Sequence, residues 1–444
     1  MARECFMEKR TNRSRWGTVL ILSLFLLFSQ VLGFFIETIT TVVSEFTSIT
    51  DRWFDFIIPT DLIIMALFLP AGGVLFDRNS RKPLIALGGF VWGVSALLMG
   101  ISLTFATFNV SKGIYGLSRV SFCGIFALTS DFYKPVNRGK ILSLLLMLHP
   151  LSIAIGTTFQ DVINLELHWR EFLFLMGAVA LFIALAVRLK VDEPKRGEKE
   201  PALTDIPLKG AYRLDLENIK LLLTRPSLVL LYFLILFIAM PAIVLWKGIP
   251  IYLQDVHALP RTELFSLIIP GMLGIVLGYP VGGALGDLLF RGNKTGRLVV
   301  SSLGFFVPPI SLLFTLRYTD VGGNPFLFWL LITSFFLALT LPNLFASIMD
   351  VTLPEIRASA LAIGLFAQTL SFLITPPLFS YGQKFFPIAD LMLWICSGLW
   401  VICLFLLLGL FFVLHKDIEA LRRHMAYRGM VETRLSGSEE KAQD

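Results

Sequence analysis

The chain has 444 residues, of which 55% are hydrophobic and only 16% are charged, and its formal net charge is +6. A soluble domain carries about 25% charged residues, so this composition cannot cover a water-facing surface and excludes an ordinary soluble protein. The four cysteines have neither the spacing of metal ligands nor that of a disulfide framework.

Hydrophobic runs of about 20 residues, the length that crosses a bilayer, predict an all-α membrane protein with twelve transmembrane helices. Spans 1 to 6 are predicted near residues 16–46, 56–76, 83–105, 108–132, 139–160 and 171–190. Spans 7 to 12 are predicted near residues 227–253, 263–286, 298–316, 326–348, 358–381 and 388–414. The predicted units are an N-terminal tail at 1–15, a six-helix bundle at 16–190, a linker at 191–225, a second six-helix bundle at 226–414 and a C-terminal tail at 415–444.

The segment between the two bundles is long and polar. Residues 192–201 have the composition of a solvated linker, and residues 214–223 are predicted to form a short amphipathic helix on the inner membrane surface. The C-terminal tail is predicted to begin as a short helix and then to become disordered.

Most of the 38 lysines and arginines fall in the two tails and in the loops after even-numbered spans. Because cytoplasmic loops carry an excess of these residues, both termini are predicted to be cytoplasmic in a multi-pass protein of the plasma (inner) membrane. The same loops account for the positive net charge, so the charge gives no reason to expect a nucleic-acid partner.

Two sequence patterns recur at matching places in the two halves. The pattern P-x-G-G-x-L-x-D ends span 2 at residues 70–77 and ends span 8 at residues 280–287. The pattern D-x-x-x-P-x-x-R follows span 4 at residues 131–138 and follows span 10 at residues 350–357. Two parallel six-span repeats are typical of transporters that bind a substrate between their halves.

The repeated residues have a physical use at the inner ends of the helices. Small residues let helices approach closely in lipid, an aspartate can meet the positive N-terminus of another helix, and arginines can pair with acids. We therefore predict a cytoplasmic latch between the halves, formed by Gly73, Asp77, Arg78, Arg81, Lys82, Asp131, Arg138, Gly283, Asp287, Asp350 and Arg357.

The residues of this latch carry a resemblance to a known family. The loop from Gly73 to Lys82 resembles the signature between spans 2 and 3 of the major facilitator superfamily, although Ser80 stands where many members have glycine. Residues 131–138 are similar to the second cytoplasmic signature, and residues 168–172 resemble the W-R-x-x-F that opens span 6. A weaker likeness is to Spinster-like carriers of organic solutes, on residues 77–82 and 353–357.

The resemblance implies that spans 1, 4, 7 and 10 line a central cavity. Polar side chains in a membrane span are costly and usually face a cavity or a partner. The candidates for substrate binding or coupling on these spans, with one further histidine in span 5, are Gln30, Glu37, Lys112, Arg119, Lys247, Asn343 and His149. Lys112 stands where the family commonly has an arginine.

Each candidate has a functional and a structural interpretation. In the functional interpretation Arg119 binds an anionic group of the substrate or a carboxylate that titrates. In the structural interpretation it forms a fixed ion pair, for instance with Glu37. Glu37 couples protons or is a solvated residue at the outer mouth, and Lys247 faces the cavity or extends to the interface. His149 carries protons or makes a helix-packing hydrogen bond, while Asp61 is expected to be exposed at the outer interface.

The function predicted from these features is secondary active transport of a small organic solute, anionic or zwitterionic, by alternating access and with proton coupling. The protein is expected to act as a monomer in the lipid bilayer, without a cofactor or metal. The alternatives are an exporter of drugs or lysolipids and a transporter-like sensor that binds without transport. An enzyme that acts on lipids is not expected, because no cluster of His, Asp or Ser stands out at the membrane face and the sequence contains neither H-E-x-x-H nor G-x-S-x-G. The sequence contains no nucleotide-binding loop, so ATP-driven transport is not expected either.

Overall fold

The computed structural model describes residues 2–46, 59–163, 165–203, 220, 222–317 and 323–443, and these residues form helices without a β-strand. Spans 1 to 6 are Ala2–Phe46, Thr60–Arg78, Arg81–Gly100, Phe105–Ser118 with Ser121–Asp131, Arg138–Leu146 with Leu148–Ile163, and Leu165–Lys190. Spans 7 to 12 are Pro226–Asp255, Arg261–Gly292, Gly296–Arg317, Asn324–Ala338 with Thr340–Asp350, Arg357–Gly382 and Ile388–Gln443.

The predicted all-α membrane fold is confirmed. Within the described residues, 11 helices are long and apolar enough to cross a membrane. Span 4 is not among these 11 helices, but its two pieces, Phe105–Ser118 and Ser121–Asp131, together cover the predicted fourth span.

The interruption of span 4 is a tight turn at Arg119 and Val120. Their backbone N–H groups donate to the carbonyls of Gly116 and Leu117, three residues earlier, as in a 3-10 helix. Span 10 is interrupted in the same way at Leu339, which lies 219 residues after Val120, the offset of the second sequence repeat. The repeat therefore extends to the geometry of the helices and places Arg119 at a break.

The two halves meet through two symmetric helix pairs, span 2 with span 11 and span 5 with span 8. A Cβ atom added to Gly73 would lie only 2.6 Å from the Cβ of Ala362 on span 11. A Cβ atom added to Gly283 would lie 2.5 Å from Oγ of Ser143 on span 5. Both glycines thus permit an approach that any side chain would prevent.

Adding a methyl group at either glycine should separate the halves. We expect Gly73→Ala and Gly283→Ala each to destabilise this arrangement by about 1–3 kcal/mol, the usual cost of overpacking. Thermal unfolding in detergent measures the effect, and Gly292→Ala is the matched control because an added Cβ there meets nothing within 4 Å. A melting temperature for Gly73→Ala equal to that of the wild type would contradict the role of this contact.

The C-terminal tail differs from its prediction. Span 12 continues without interruption to Gln443, so the expected short helix followed by disorder is wrong. Ile418, Leu421 and Met425 recur at helical spacing beyond the membrane and are buried against the rest of the protein, which explains why the helix persists. The amphipathic helix predicted at residues 214–223 lies almost entirely outside the described residues.

Candidate functional site

The loops that join spans 2 and 3, 4 and 5, 8 and 9, and 10 and 11 lie on one face of the protein, called the inner face below. Two clusters of charged side chains are prominent in the structure. One closes the inner face between the two halves, and the other lies around the break in span 4.

At the inner face, an aspartate of each half caps a helix of the other half. Asp77 accepts hydrogen bonds from the backbone N–H groups of Ala358, at 3.1 Å, and Ser359, at 2.7 Å, where span 11 begins. Asp287 accepts from the N–H groups of Gly139, at 3.0 Å, and Lys140, at 2.8 Å, where span 5 begins. The positive helix ends stabilise both carboxylates, so these contacts join the halves twice.

Arg81 connects the first of these contacts to span 4. Its guanidinium lies 3.2 Å from Oδ1 of Asp77 and 2.5 Å from Oδ2 of Asp131. It also donates to the backbone carbonyl of Pro354 in the other half, at 3.5 Å. All three side-chain groups are buried, so the pairs are little screened by solvent.

Arg297 makes the corresponding contacts in the second half. Its guanidinium donates to Oδ1 of Asp287 at 2.7 Å, pairs with Asp350, and donates to the carbonyl of Pro135 at 2.7 Å. The match of Arg297 with Arg81 was not visible as a fixed offset, mainly because span 8 continues to Gly292, well past Asp287, whereas span 2 ends at Arg78, directly after Asp77.

The remaining pair of arginines crosses between the halves and meets at one carboxylate. Arg357 lies 3.1 Å from Oδ1 of Asp131, and Arg138 lies 3.8 Å from Oδ1 of Asp350. Both guanidinium groups also donate to Oε1 of Glu200, which is only 3% exposed. Glu200 comes from the linker and has no symmetric counterpart in this network.

Burial by itself raises the pKa of Glu200, but the guanidinium groups of Arg138 and Arg357 outweigh it and lower the pKa to about 2. The sequence analysis missed Glu200, because its surrounding composition is that of a solvated linker. Four buried arginines require compensating carboxylates, and only the folded structure shows that the linker supplies one.

Residues 191–203, called the linker strap below, hold Glu200 in place through two further contacts. Glu193 accepts from Oγ of Ser80 and from the N–H groups of Arg81, at 2.7 Å, and Lys82, at 3.1 Å, where span 3 begins. Arg196 donates to backbone carbonyls at the end of span 2, including that of Asn79 at 2.6 Å. The expectation of a solvated linker is therefore wrong for Gly197 and Glu200, which are buried, whereas Asp192, Glu193, Lys195 and Glu198 are exposed.

Two of the predicted latch residues lie outside the network. The side chain of Arg78 is exposed, and Lys82 contributes its backbone N–H rather than its ammonium group. Arg78 is the last residue of span 2, and Lys82 is the second residue of span 3. The other predicted latch residues lie at the contact between the halves.

The second cluster surrounds Asp61 at the start of span 2. Nη1 of Arg119 lies 3.1 Å from Oδ2 of Asp61, and Nζ of Lys112 lies 3.8 Å from Oδ1. Nζ of Lys112 also donates to Oγ1 of Thr40, at 3.4 Å. Asp61 is only 8% exposed, so its expected exposure at the outer interface is wrong, and it rather than Glu37 forms the ion pair with Arg119.

Glu37 and Lys247 complete this charged region from opposite halves. Both side chains are exposed to solvent. Among charged groups, Glu37 interacts electrostatically most strongly with Lys247, and then with Asp61, Lys112 and Arg119. These four charged groups are therefore within electrostatic range of Glu37, and three of them are cations.

The remaining predicted site residues, His149, Asn343 and Gln30, are not among these charged groups. The ring of His149 meets that of Phe372 on span 11 edge to face, with 6.5 Å between centroids. Asn343 is fully buried and donates to the carbonyls of Gly282, at 3.0 Å, and Leu339, at 2.8 Å. Its expected place on the cavity is therefore wrong, since it ties the break in span 10 to span 8. Gln30 is half-buried in span 1.

In the described part of the chain, no group of three or more His, Cys, Asp or Glu residues could hold a metal ion. The region around Arg119 holds three cationic side chains and two carboxylates, an excess of positive charge next to solvent. Such an arrangement attracts an anionic group rather than a cation.

Comparisons with known proteins agree with this architecture. The sequence profile of the Major Facilitator Superfamily matches residues 18–320. Protein spinster of Drosophila melanogaster is 26% identical over 315 residues, which are 67% of this chain and 50% of that protein. The probable galactarate/D-glucarate transporter GudP of Bacillus subtilis is 25% identical over 250 residues, 50% of this chain and 54% of that protein. The chain thus spans about half the length of these curated relatives.

Solved structures show the same fold. The human organic anion transporter MFSD10 (TETRAN) superimposes with a TM-score of 0.65 at 16% identity, covering 88% of this chain and 99% of that one. A bacterial homologue of the iron transporter ferroportin, in its outward-facing state, gives a TM-score of 0.68 at 14% identity and covers 89% and 99%. Because the family profile covers more than half of the chain and the fold matches, the chain belongs to the Major Facilitator Superfamily of membrane transporters.

Proposed function

We propose that the protein is a secondary active transporter that moves a small organic anion or zwitterion by alternating access, coupled to protons. The observation that carries this proposal is the ion pair of Arg119 with Asp61 at the break of span 4. A permanent cation inside a membrane protein binds an anionic group most strongly where water is largely excluded. The printed name of the galactarate/D-glucarate transporter agrees with an anionic substrate.

Alternating access is supported by the difference between the two faces. The inner face is closed by buried ion pairs and by two helix caps, whereas Glu37 and Lys247, in the parts of spans 1 and 7 that lie away from that face, are exposed. This arrangement is the one expected of a carrier that is open to the outside. For the substrate to leave inward, the contacts of Asp77 and Asp287 with the opposite half have to break.

Proton coupling would work through the carboxylate that competes with the substrate. Asp61 holds Arg119 while it is ionised, and a proton on Asp61 would free the guanidinium for an anion. Glu37, which interacts with both Arg119 and Lys247, is the second carboxylate in range. An anion and a proton would then bind together, which is the behaviour of a symporter.

Counterflow in proteoliposomes tests the proposal. Vesicles loaded with unlabelled dicarboxylic sugar acid should accumulate the labelled compound, and an inward proton gradient should increase the accumulation. Binding without exchange would instead indicate a sensor. Exchange of cationic drugs or lysolipids that does not change in Arg119→Ala would indicate the exporter.

The helix cap of Asp77 should matter for movement rather than for binding. We expect Asp77→Asn to slow transport while leaving the affinity for substrate almost unchanged, because the residue lies at the inner face and away from Arg119. Initial uptake rates and equilibrium binding measure the two quantities separately. Equal losses of both would count against the role of Asp77 in the latch.

The lowered pKa of Glu200 predicts how the stability of the closed inner face depends on pH. The closed state depresses the pKa of Glu200 from 4.5 to about 2, so its contribution to closure is complete above pH 4.5 and disappears as pH falls toward 2. The test uses Asp61→Asn, because this variant lacks the proposed coupling carboxylate. In this variant we expect the fraction of protein with a closed inner face to be constant between pH 5 and 8. The inner face of Asp61→Asn could instead open near neutral pH, and the additional substitution Glu200→Gln could abolish this opening. That result would contradict the lowered pKa assigned to Glu200.

A further inference from the structure

A cationic cleft opens on the inner face beside the latch. It has a volume of about 460 Å³ and lies between the turn that joins spans 8 and 9, at residues 292–294, and the extension of span 12 beyond the membrane. The span 12 side is formed by His415, Glu419, Arg422 and Arg423. The two walls are more than a hundred residues apart in sequence, so the cleft is a product of the fold.

The cleft holds more cations than its single carboxylate can balance. Glu419 already pairs with Arg423, at 3.4 Å, and lies 3.0 Å from Nε2 of His415. Among the residues that the structure describes, neither Lys294 nor Arg422 has a carboxylate within salt-bridge distance. Nζ of Lys294 instead lies over the ring of Phe290, 5.0 Å from its centroid.

These cations repel one another. Partial burial and then the charges of Arg422 and Arg297 lower the pKa of Lys294. Arg297 is balanced by Asp287 and Asp350, so Lys294 and Arg422 are the two cations of this cluster that have no carboxylate within salt-bridge distance among the described residues. A bound anion between them would remove this repulsion.

The surroundings of the cleft indicate the kind of anion. Span 8 ends at Gly292, so the cleft lies directly beyond the apolar part of this membrane helix, where lipid headgroups are expected. Within about one helical turn toward the membrane, Leu288 is 58% exposed and Phe412 is 75% exposed. A ligand with a phosphate in the cleft and acyl chains along these apolar side chains would satisfy both surfaces.

We propose that this cleft binds the phosphate group of an acidic phospholipid, with Lys294 and Arg422 as its ligands. The bound headgroup joins the turn between spans 8 and 9 to the extension of span 12, which also packs beneath the latch through Leu421 and Met425. The site is separate from the proposed substrate site around Arg119 and does not depend on what the protein transports.

A thermal-shift titration of the purified full chain in detergent tests the site. The probes are dioctanoyl phosphatidic acid, dioctanoyl phosphatidylcholine and inorganic phosphate. A ligand that binds the folded state raises the melting temperature by mass action. We expect a saturable rise with phosphatidic acid and at least a tenfold higher half-saturating concentration in the double variant Lys294→Ala/Arg422→Ala. Lys416→Ala, which removes an exposed cation of the same helix outside the cleft, should behave as the wild type.

Three results would overturn the proposal. These are an equal rise with phosphatidylcholine, an unchanged titration in the double variant, and a rise with inorganic phosphate at the same concentrations, which would indicate a free-anion site. If the double variant unfolds during purification, Lys294→Gln and Arg422→Gln are titrated separately, each with an expected weakening of about threefold or more. An unchanged titration in both would refute the assignment equally.

Discussion

Replacing Glu200 with glutamine is expected to open the inner face. The amide keeps the shape of the side chain but removes the charge that Arg138 and Arg357 share across the two halves. Removing one partner of a buried ionic group costs about 3–5 kcal/mol, because the remaining charges stay buried without compensation. Since this cost applies only to the closed state, the ratio of closed to open protein should fall by roughly 100-fold or more.

Distances between spin labels would measure this change. Labels at Arg78 and Lys416 are exposed on opposite halves of the inner face, and their separation should increase in Glu200→Gln. Glu198→Gln is the matched control, since Glu198 lies two residues away in the same linker strap, is exposed and, among the residues that the structure describes, forms an ion pair only with its neighbour Lys199. Identical distance distributions in the two variants would show that Glu200 does not hold the halves together.

Replacing Arg119 with alanine is expected to weaken binding of an anionic substrate by about 10- to 100-fold. A hydrogen bond to a charged group contributes about 1.5–3 kcal/mol, and the guanidinium of Arg119 is the donor available for the substrate. A thermal-shift screen against sugar acids, amino acids and other organic anions would measure the loss. Arg317→Ala removes an exposed cation at the outer end of span 9 and serves as the control.

The companion variant Asp61→Asn separates a binding role of Arg119 from a purely structural ion pair. If Arg119 binds substrate, neutralising its competitor should leave the affinity intact or increase it, and should remove the dependence of binding on pH. If the pair is only structural, both variants should lower the melting temperature without a change in ligand affinity. Lower melting temperatures with unchanged ligand affinity in both variants would refute a substrate site at Arg119.

The prediction of the fold succeeded because membrane insertion constrains sequence directly. Each span needs about 20 apolar residues, so the twelve helices could be located from hydrophobic runs alone. The repeated motifs also identified Asp77 and Asp287 as helix-end groups, because an aspartate at that place has few other uses in a membrane helix. The persistence of span 12 to Gln443 was missed, since that stretch is polar on most sides and only its buried stripe against the protein stabilises it.

The identities of the charged partners could not be read from the sequence. From the sequence, Glu200 and Asp61 are both expected to face solvent. In the structure, each is buried against arginines or lysines from distant segments of the chain. The sequence by itself determined the number of spans, the duplication and the positions of the latch motifs, because local composition controls insertion and repetition is visible in the chain. Only the tertiary structure decided which carboxylate meets which cation, because ionic pairs depend on distance in space and are independent of separation along the chain.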